Sequence, residues 1–188
     1  MRATSTISST TYDGSHSLIY HACLVLAGTA LIALSAQVKL PLLPVPITLQ
    51  TTAILFLSII FGPALGATAV AGYLLEGALG LPVFAGFSAG VPILLGQTGG
   101  YLIGFLPAAI VSGYLAQKGW NKGIKVFCNV LIGTIILFTP GVIMLSHFVG
   151  WHRAYQFGVQ IFYVTESAKI IFLAGFLNQF NDYFSFLK

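Results

Sequence analysis

The sequence predicts an all-α membrane protein of six transmembrane helices with both termini in the cytoplasm. Three observations carry this. The 188 residues are 57% apolar and 6% charged, against about 25% charged in an ordinary soluble domain. Eight basic and four acidic residues are too few to cover a soluble surface, and mean hydropathy is +0.93. These values argue against soluble enzymes, nucleic-acid binders and disordered chains. A helix crossing the bilayer takes about 20 residues, so six spans and their loops use the whole length and leave no room for a soluble domain.

Each element follows from local chemistry. Residues 1–17 are polar and rich in serine and threonine. They lack the basic-then-apolar order of a signal peptide, so a disordered cytoplasmic tail is expected there. A single transmembrane domain is expected over 18–180. Span 1, about 18–38, carries Ala22, Cys23, Ala27, Gly28, Ala30, Ala33 and Ala36, and small residues let helix backbones approach closely in lipid. In Lys39-Leu-Pro-Leu-Leu-Pro-Val-Pro-Ile47 three prolines fall in six residues. They forbid a helix, because each removes a donor and fixes φ. Span 2 starts near Thr48 and ends before Gly62-Pro63, a turn signal. It is short, and a re-entrant span 2 would leave five spans. Span 3 covers about 64–79. The stretch 81–92 is rich in glycine and proline yet apolar, so this loop is expected to be packed down. Span 4 covers about 98–117, span 5 about 126–148 and span 6 about 159–180. Trp151-His-Arg-Ala-Tyr155 reads as an interfacial anchor, and 181–188 as a polar and aromatic C-terminal tail.

Orientation rests on one loop. Lys118, Lys122 and Lys125 fall within eight residues with no acid nearby, and the positive-inside rule puts them in the cytoplasm. The external connections are then 39–47, 81–97 and 149–158. Lys39 and Arg153 stand against the rule. The net charge of +4 orients loops in this setting and does not imply nucleic acid.

An ionisable group inside a span costs about 2.5–3.5 kcal/mol on insertion scales and is a functional candidate for that reason. Glu76, Glu166 and Lys169 qualify. Glu166 and Lys169, three apart, share a helix face, with Tyr163 one turn earlier. All three ionisable groups converge on the external half of the membrane. One reading makes Glu166 and Lys169 a neutralising pair. The other makes them ligand contacts, which the poor return on burying an ion pair favours. Glu76 is either a ligand contact or a loop cap beside Gly77 and Gly80.

Other patterns carry less. Gly86-Phe-Ser-Ala-Gly90 has the G-x-S-x-G spelling but no preceding strand. His147 and His152 lack the spacing of helical metal ligands. Cys23 and Cys128 lie in apolar runs without a Cys/His cluster, so neither disulfide nor metal site is expected. No P-loop pattern occurs, so energy coupling must come from elsewhere. No clear inverted repeat relates spans 1–3 to spans 4–6, as a lone secondary transporter usually shows.

Three external segments resemble those of the BioY family, the biotin-specific substrate-binding (S) components of energy-coupling-factor (ECF) transporters. Val45-Pro-Ile-Thr-Leu-Gln50 resembles the family's first-loop signature. Gly77-Ala-Leu-Gly-Leu-Pro-Val-Phe-Ala-Gly86 resembles its third-loop signature, and Gly96-Gln-Thr-Gly-Gly-Tyr101 its Gly-Pro-Thr-Gly-Gly-Tyr run, with Gln97 replacing proline. The three come in the family's order, and the resemblance covers roughly 18–180. The family's Gly-Asp-x-x-Lys entering the last helix appears as Thr165-Glu-Ser-Ala-Lys169. Its Ala-x-x-x-Ala docking pairs are matched only by Cys23-x-x-x-Ala27.

The resemblance implies a multi-pass protein of the prokaryotic cell membrane that binds biotin outside, beneath loops 1 and 3, with no cofactor and no catalysis. Separate ATPase subunits would energise it through a transmembrane coupling subunit, amid membrane lipid. Glu166 would accept a ureido N–H and Lys169 would donate to the carbonyl or the carboxylate. Val45, Ile47, Val83, Phe84 and Tyr163 would form apolar walls, with Leu81 beside them. Thr48 and Gln50 would add hydrogen bonds, and Glu76 completes the candidate set. The alternatives are an S component for riboflavin or thiamin, and an intramembrane enzyme.

Overall fold

The tightest constraint on the fold is a reversal inside what is formally one helix. The computed structural model describes residues 14–42, 44–180 and 183. In chain order these form α1 (Gly14–Gln37), β1 (Lys39–Leu40), β2 (Ile47–Thr48), α2 (Gln50–Ala78), α3 (Val91–Leu94), α4 (Gly99–Gln117), α5 (Gly123–Val149), α6 (Trp151–Tyr155), a π-helical segment (Gln156–Gln160) and α7 (Phe162–Phe180). Within α2, Gly62 takes φ 80° and ψ 178°, which its missing Cβ permits, and Pro63 follows. The chain turns back on itself here. Gln50 Nε2 donates to the Tyr73 hydroxyl at 2.5 Å, although a straight helix would hold residues 50 and 73 about 35 Å apart. A Cβ on Gly66 would lie 2.8 Å from Ser58 Cα, so the two halves of α2 run side by side.

Among the described residues five helical stretches are long and apolar enough to cross a membrane: Leu18–Gln37, Gln50–Ala78, Gly99–Gln117, Gly123–Val149 and Trp151–Phe180. The expected spans 2 and 3 are the two halves of the second of these. Large apolar side chains such as Leu75, Ile135, Val164 and Phe172 are exposed around the bundle. A soluble monomer does not present such a belt, whereas lipid solvates it.

The packing order follows from the contacts: α1 lies on α2, α2 on α4, α4 on α5, and α7 on α5 and α2. Small residues set the spacing, as expected for helices in lipid. A Cβ on Gly113 of α4 would lie 2.7 Å from Pro63 Cα, so α4 meets the reversal backbone to backbone. Overpacking such a contact costs about 1–3 kcal/mol. Gly113→Val should therefore lower the melting temperature in detergent. An unchanged melting temperature would mean that the helices do not meet here.

The connections differ from expectation in three details. The proline-rich stretch is non-helical as expected, but its flanks pair as an antiparallel ribbon, Lys39 opposite Thr48 and Leu40 opposite Ile47. The expected loop 149–158 is helical, and α6 passes through the π-helical segment into α7. α1 begins at Gly14, inside the stretch read as tail. The tails expected at 1–17 and 181–188 otherwise lie outside the described residues, apart from Tyr183.

Candidate ligand-binding site

Two loops are tied to the bundle by side chains that the prolines and glycines of those loops leave room for. The Thr48 hydroxyl donates to Gln50 Oε1 at 3.1 Å and accepts from the Gln50 amide at 3.3 Å. Tyr73, already holding Gln50, donates onward to the Val83 carbonyl at 3.3 Å. Gln37 at the end of α1 donates to the Phe84 carbonyl at 3.1 Å and accepts from the Phe87 amide at 3.1 Å. Phe84 is 1% exposed and meets Tyr73 edge to face at 5.5 Å. A Cβ on Gly77 would run into the Phe84 ring, which gives a steric reason for glycine at the head of that motif.

On α7, Glu166 and Lys169 form an ion pair. Lys169 Nζ also donates to the Thr48 carbonyl at 2.8 Å and to the Thr51 hydroxyl at 2.7 Å. Thr51 in turn donates to Glu166 Oε2 at 3.2 Å. The pair therefore fastens α7 to the start of α2 and to the ribbon. Each charge is also partnered by neutral groups, the condition under which a buried pair is tolerated.

Between these parts lies a cavity of about 180 Å³, bordered by Val45, Thr48, Gln50 and Thr51 on one side and by Phe84, Ala85 and Ser88 on another. Tyr101, Phe138, Phe162 and Glu166 are also among its walls. The three aromatic rings support one another. Phe138 meets Tyr101 and Phe162 edge to face at 5.4 and 5.3 Å, and Tyr101 stacks on Phe162 at 6.4 Å. The Tyr101 hydroxyl donates to the Gly158 carbonyl in the π-helical segment at 2.9 Å. Such a site suits a small molecule with an apolar body and N–H donors aimed at one carboxylate. Among the described residues no group of three metal-binding side chains converges.

The expected site residues divide. Val45, Thr48, Gln50, Phe84 and Glu166 border the cavity, and Lys169 stands behind Glu166 and Thr51. Ile47 is buried within the ribbon, and Val83 offers its carbonyl to Tyr73; neither lines the cavity. Glu76 is half-buried at the end of α2, away from the cavity lining. The turn beside it is closed by backbone bonds, Gly90 N–H to the Gly77 carbonyl at 2.7 Å among them. Tyr163 is 59% exposed, and its neighbour Phe162, 5% exposed, takes the wall position. Leu81 is exposed. Sequence reasoning missed Thr51, Tyr101, Phe138 and Phe162. Tyr101 closes the Gly-Gly-Tyr run and Thr51 follows Gln50, so both had a signal. Phe138 and Phe162 sit in apolar runs that mark no particular ring.

A helical bundle belted with apolar side chains around a cavity with one buried carboxylate defines a multi-pass membrane protein with a small-molecule site. Residues 5–186 match the BioY family, and the chain belongs to it. It is 36% identical over 146 residues to the probable biotin transporter BioY of Pyrococcus horikoshii, covering 78% of this chain and 86% of the relative. To the biotin transporter BioY of Thermotoga maritima it is 43% identical over 121 residues, 64% of this chain and 71% of the relative. Its fold superposes on a crystal structure of the S-component for biotin from an ECF-type ABC transporter with TM-score 0.75. That match has 25% identity and covers 92% of this chain and 94% of that one. The chain is a protein of the prokaryotic cell membrane.

Proposed function

We propose that this chain captures biotin at the external face of the membrane and is energised by separate ATPase subunits through a transmembrane coupling subunit. It is a biotin-binding membrane subunit for vitamin uptake and not an enzyme. The observation that carries the site assignment is the Glu166 carboxylate facing a largely apolar cavity between the two signature loops. A carboxylate accepts N–H groups, which the ureido ring offers, and the aromatic walls suit the thiophane ring and alkyl chain. Val45, Thr48, Gln50, Thr51 and Phe84 are assigned to the same site, and the ribbon and the 84–88 segment to its roof. Calorimetry on the detergent-purified chain tests this, with biotin, riboflavin and thiamin as ligands. Binding of biotin alone is expected, and selective binding of either other vitamin would overturn the reading.

In this reading the chain crosses the membrane six times, with each half of α2 as one span. The reversal at Gly62 supports that count, and Lys118, Lys122 and Lys125 support cytoplasmic termini. The topology is testable in a chain whose Cys23 and Cys128 are replaced by alanine. Asn121→Cys should react with an impermeant thiol reagent only from the cytoplasmic side, and Phe87→Cys only from outside. Reversed labelling would move the site to the wrong face for uptake.

A further inference from the structure

Lys169 is committed to partners within the protein. Its Nζ donates to the Thr48 carbonyl and the Thr51 hydroxyl and is ion-paired with the Glu166 carboxylate. It does not border the cavity. Biotin nevertheless ends in a carboxylate on an aliphatic chain, and an anion left unpaired at a largely apolar site is costly.

Another cation, Lys39, does not line the cavity either but neighbours residues that do. Lys39 is the cross-strand partner of Thr48. Directly opposed residues of an antiparallel pair project to the same face, with Cβ atoms about 4.5–5.5 Å apart, and Thr48 borders the cavity. Independently, Lys39 Nζ rests against Gly86, where a Cβ would collide with it. Gly86 lies between Ala85 and Ser88, which also border the cavity. Lys39 is exposed, and among the described residues no carboxylate pairs with it. Arg153 belongs to α6, which packs against α5 and the π-helical segment.

Resting on the biotin reading, we propose that Lys39 receives the ligand's carboxylate and is the residue that selects an acid over its neutral analogues. The ligand then lies with its ring on Glu166 at the buried end and its acid chain directed to the rim. This assignment also accounts for a lysine on the side of the membrane that the charge bias disfavours.

Biotin and biotinamide, which differ only in carboxylate against carboxamide, separate the possibilities by calorimetry on the full chain in detergent. The parent should bind biotin roughly tenfold or more tightly than the amide, the scale of a charge-assisted hydrogen bond. In Lys39→Met that ratio should fall toward one, and Lys39→Arg should restore most of it. A ratio retained in Lys39→Met overturns the assignment, whether Lys39 only anchors to lipid phosphate or its loss distorts the mouth and weakens both ligands equally. A parent that binds both equally overturns the carboxylate site and leaves the biotin reading standing. A parent that binds neither overturns both.

Discussion

Glu166→Gln is expected to weaken biotin binding roughly ten- to a hundredfold while the protein stays folded. Hydrogen bonds to a charged group are worth about 1.5–3 kcal/mol, and a glutamine presents an N–H where the ureido group presents its own. Lys169→Met should behave differently. It removes the bonds from α7 to Thr48 and Thr51 and leaves Glu166 buried without its counter-charge, a loss of about 3–5 kcal/mol in comparable pairs. Its melting temperature should fall further than that of Glu166→Gln. The double variant Glu166→Gln/Lys169→Met should recover much of that stability and none of the affinity, because a neutral pair needs no counter-charge. Affinity and melting temperature measured together decide the point. If folded Glu166→Gln binds biotin like the parent, the carboxylate is structural and does not touch the ligand.

The aromatic wall gives the second large effect. Phe162 is packed between Tyr101 and Phe138, and truncating a buried phenylalanine costs about 3–5 kcal/mol. Phe162→Ala should lower the melting temperature and also weaken binding, since the ring borders the cavity. Tyr163→Ala removes a ring of similar size from an exposed position, where substitutions usually stay within about 0.5 kcal/mol. Equal effects at 162 and 163, or a larger one at 163, would mean that α7 is rotated from the orientation described.

Much of the fold was legible because backbone chemistry is local. Gly62-Pro63 marked the reversal, the three prolines before Ile47 excluded a helix, and the small residues of span 1 marked a close approach between helices. Legible too were the charges: Glu166 and Lys169 stood out because lipid penalises them wherever they lie on the helix. Glu76 drew the same attention for the same reason, yet it ends half-buried outside the cavity lining. Cost of insertion identifies an ionisable residue as unusual without saying what it faces.

The composition and the turn residues alone established membrane insertion, the order of the helices and the two loops that meet at the site. Orientation about each helix axis came from packing. In water an apolar stripe reveals the buried face, but the bilayer is as apolar as the bundle core, so an inward ring and a lipid-facing one cost the same and read alike. Phe162 and Tyr163 differ in role only because α7 rests on α5 and α2 with one side of its surface and leaves the other exposed. The hydrogen bonds of Lys169 belong to the same level. They depend on Thr48 and Thr51 being brought to it from more than a hundred residues away, and no spacing along the chain encodes that meeting.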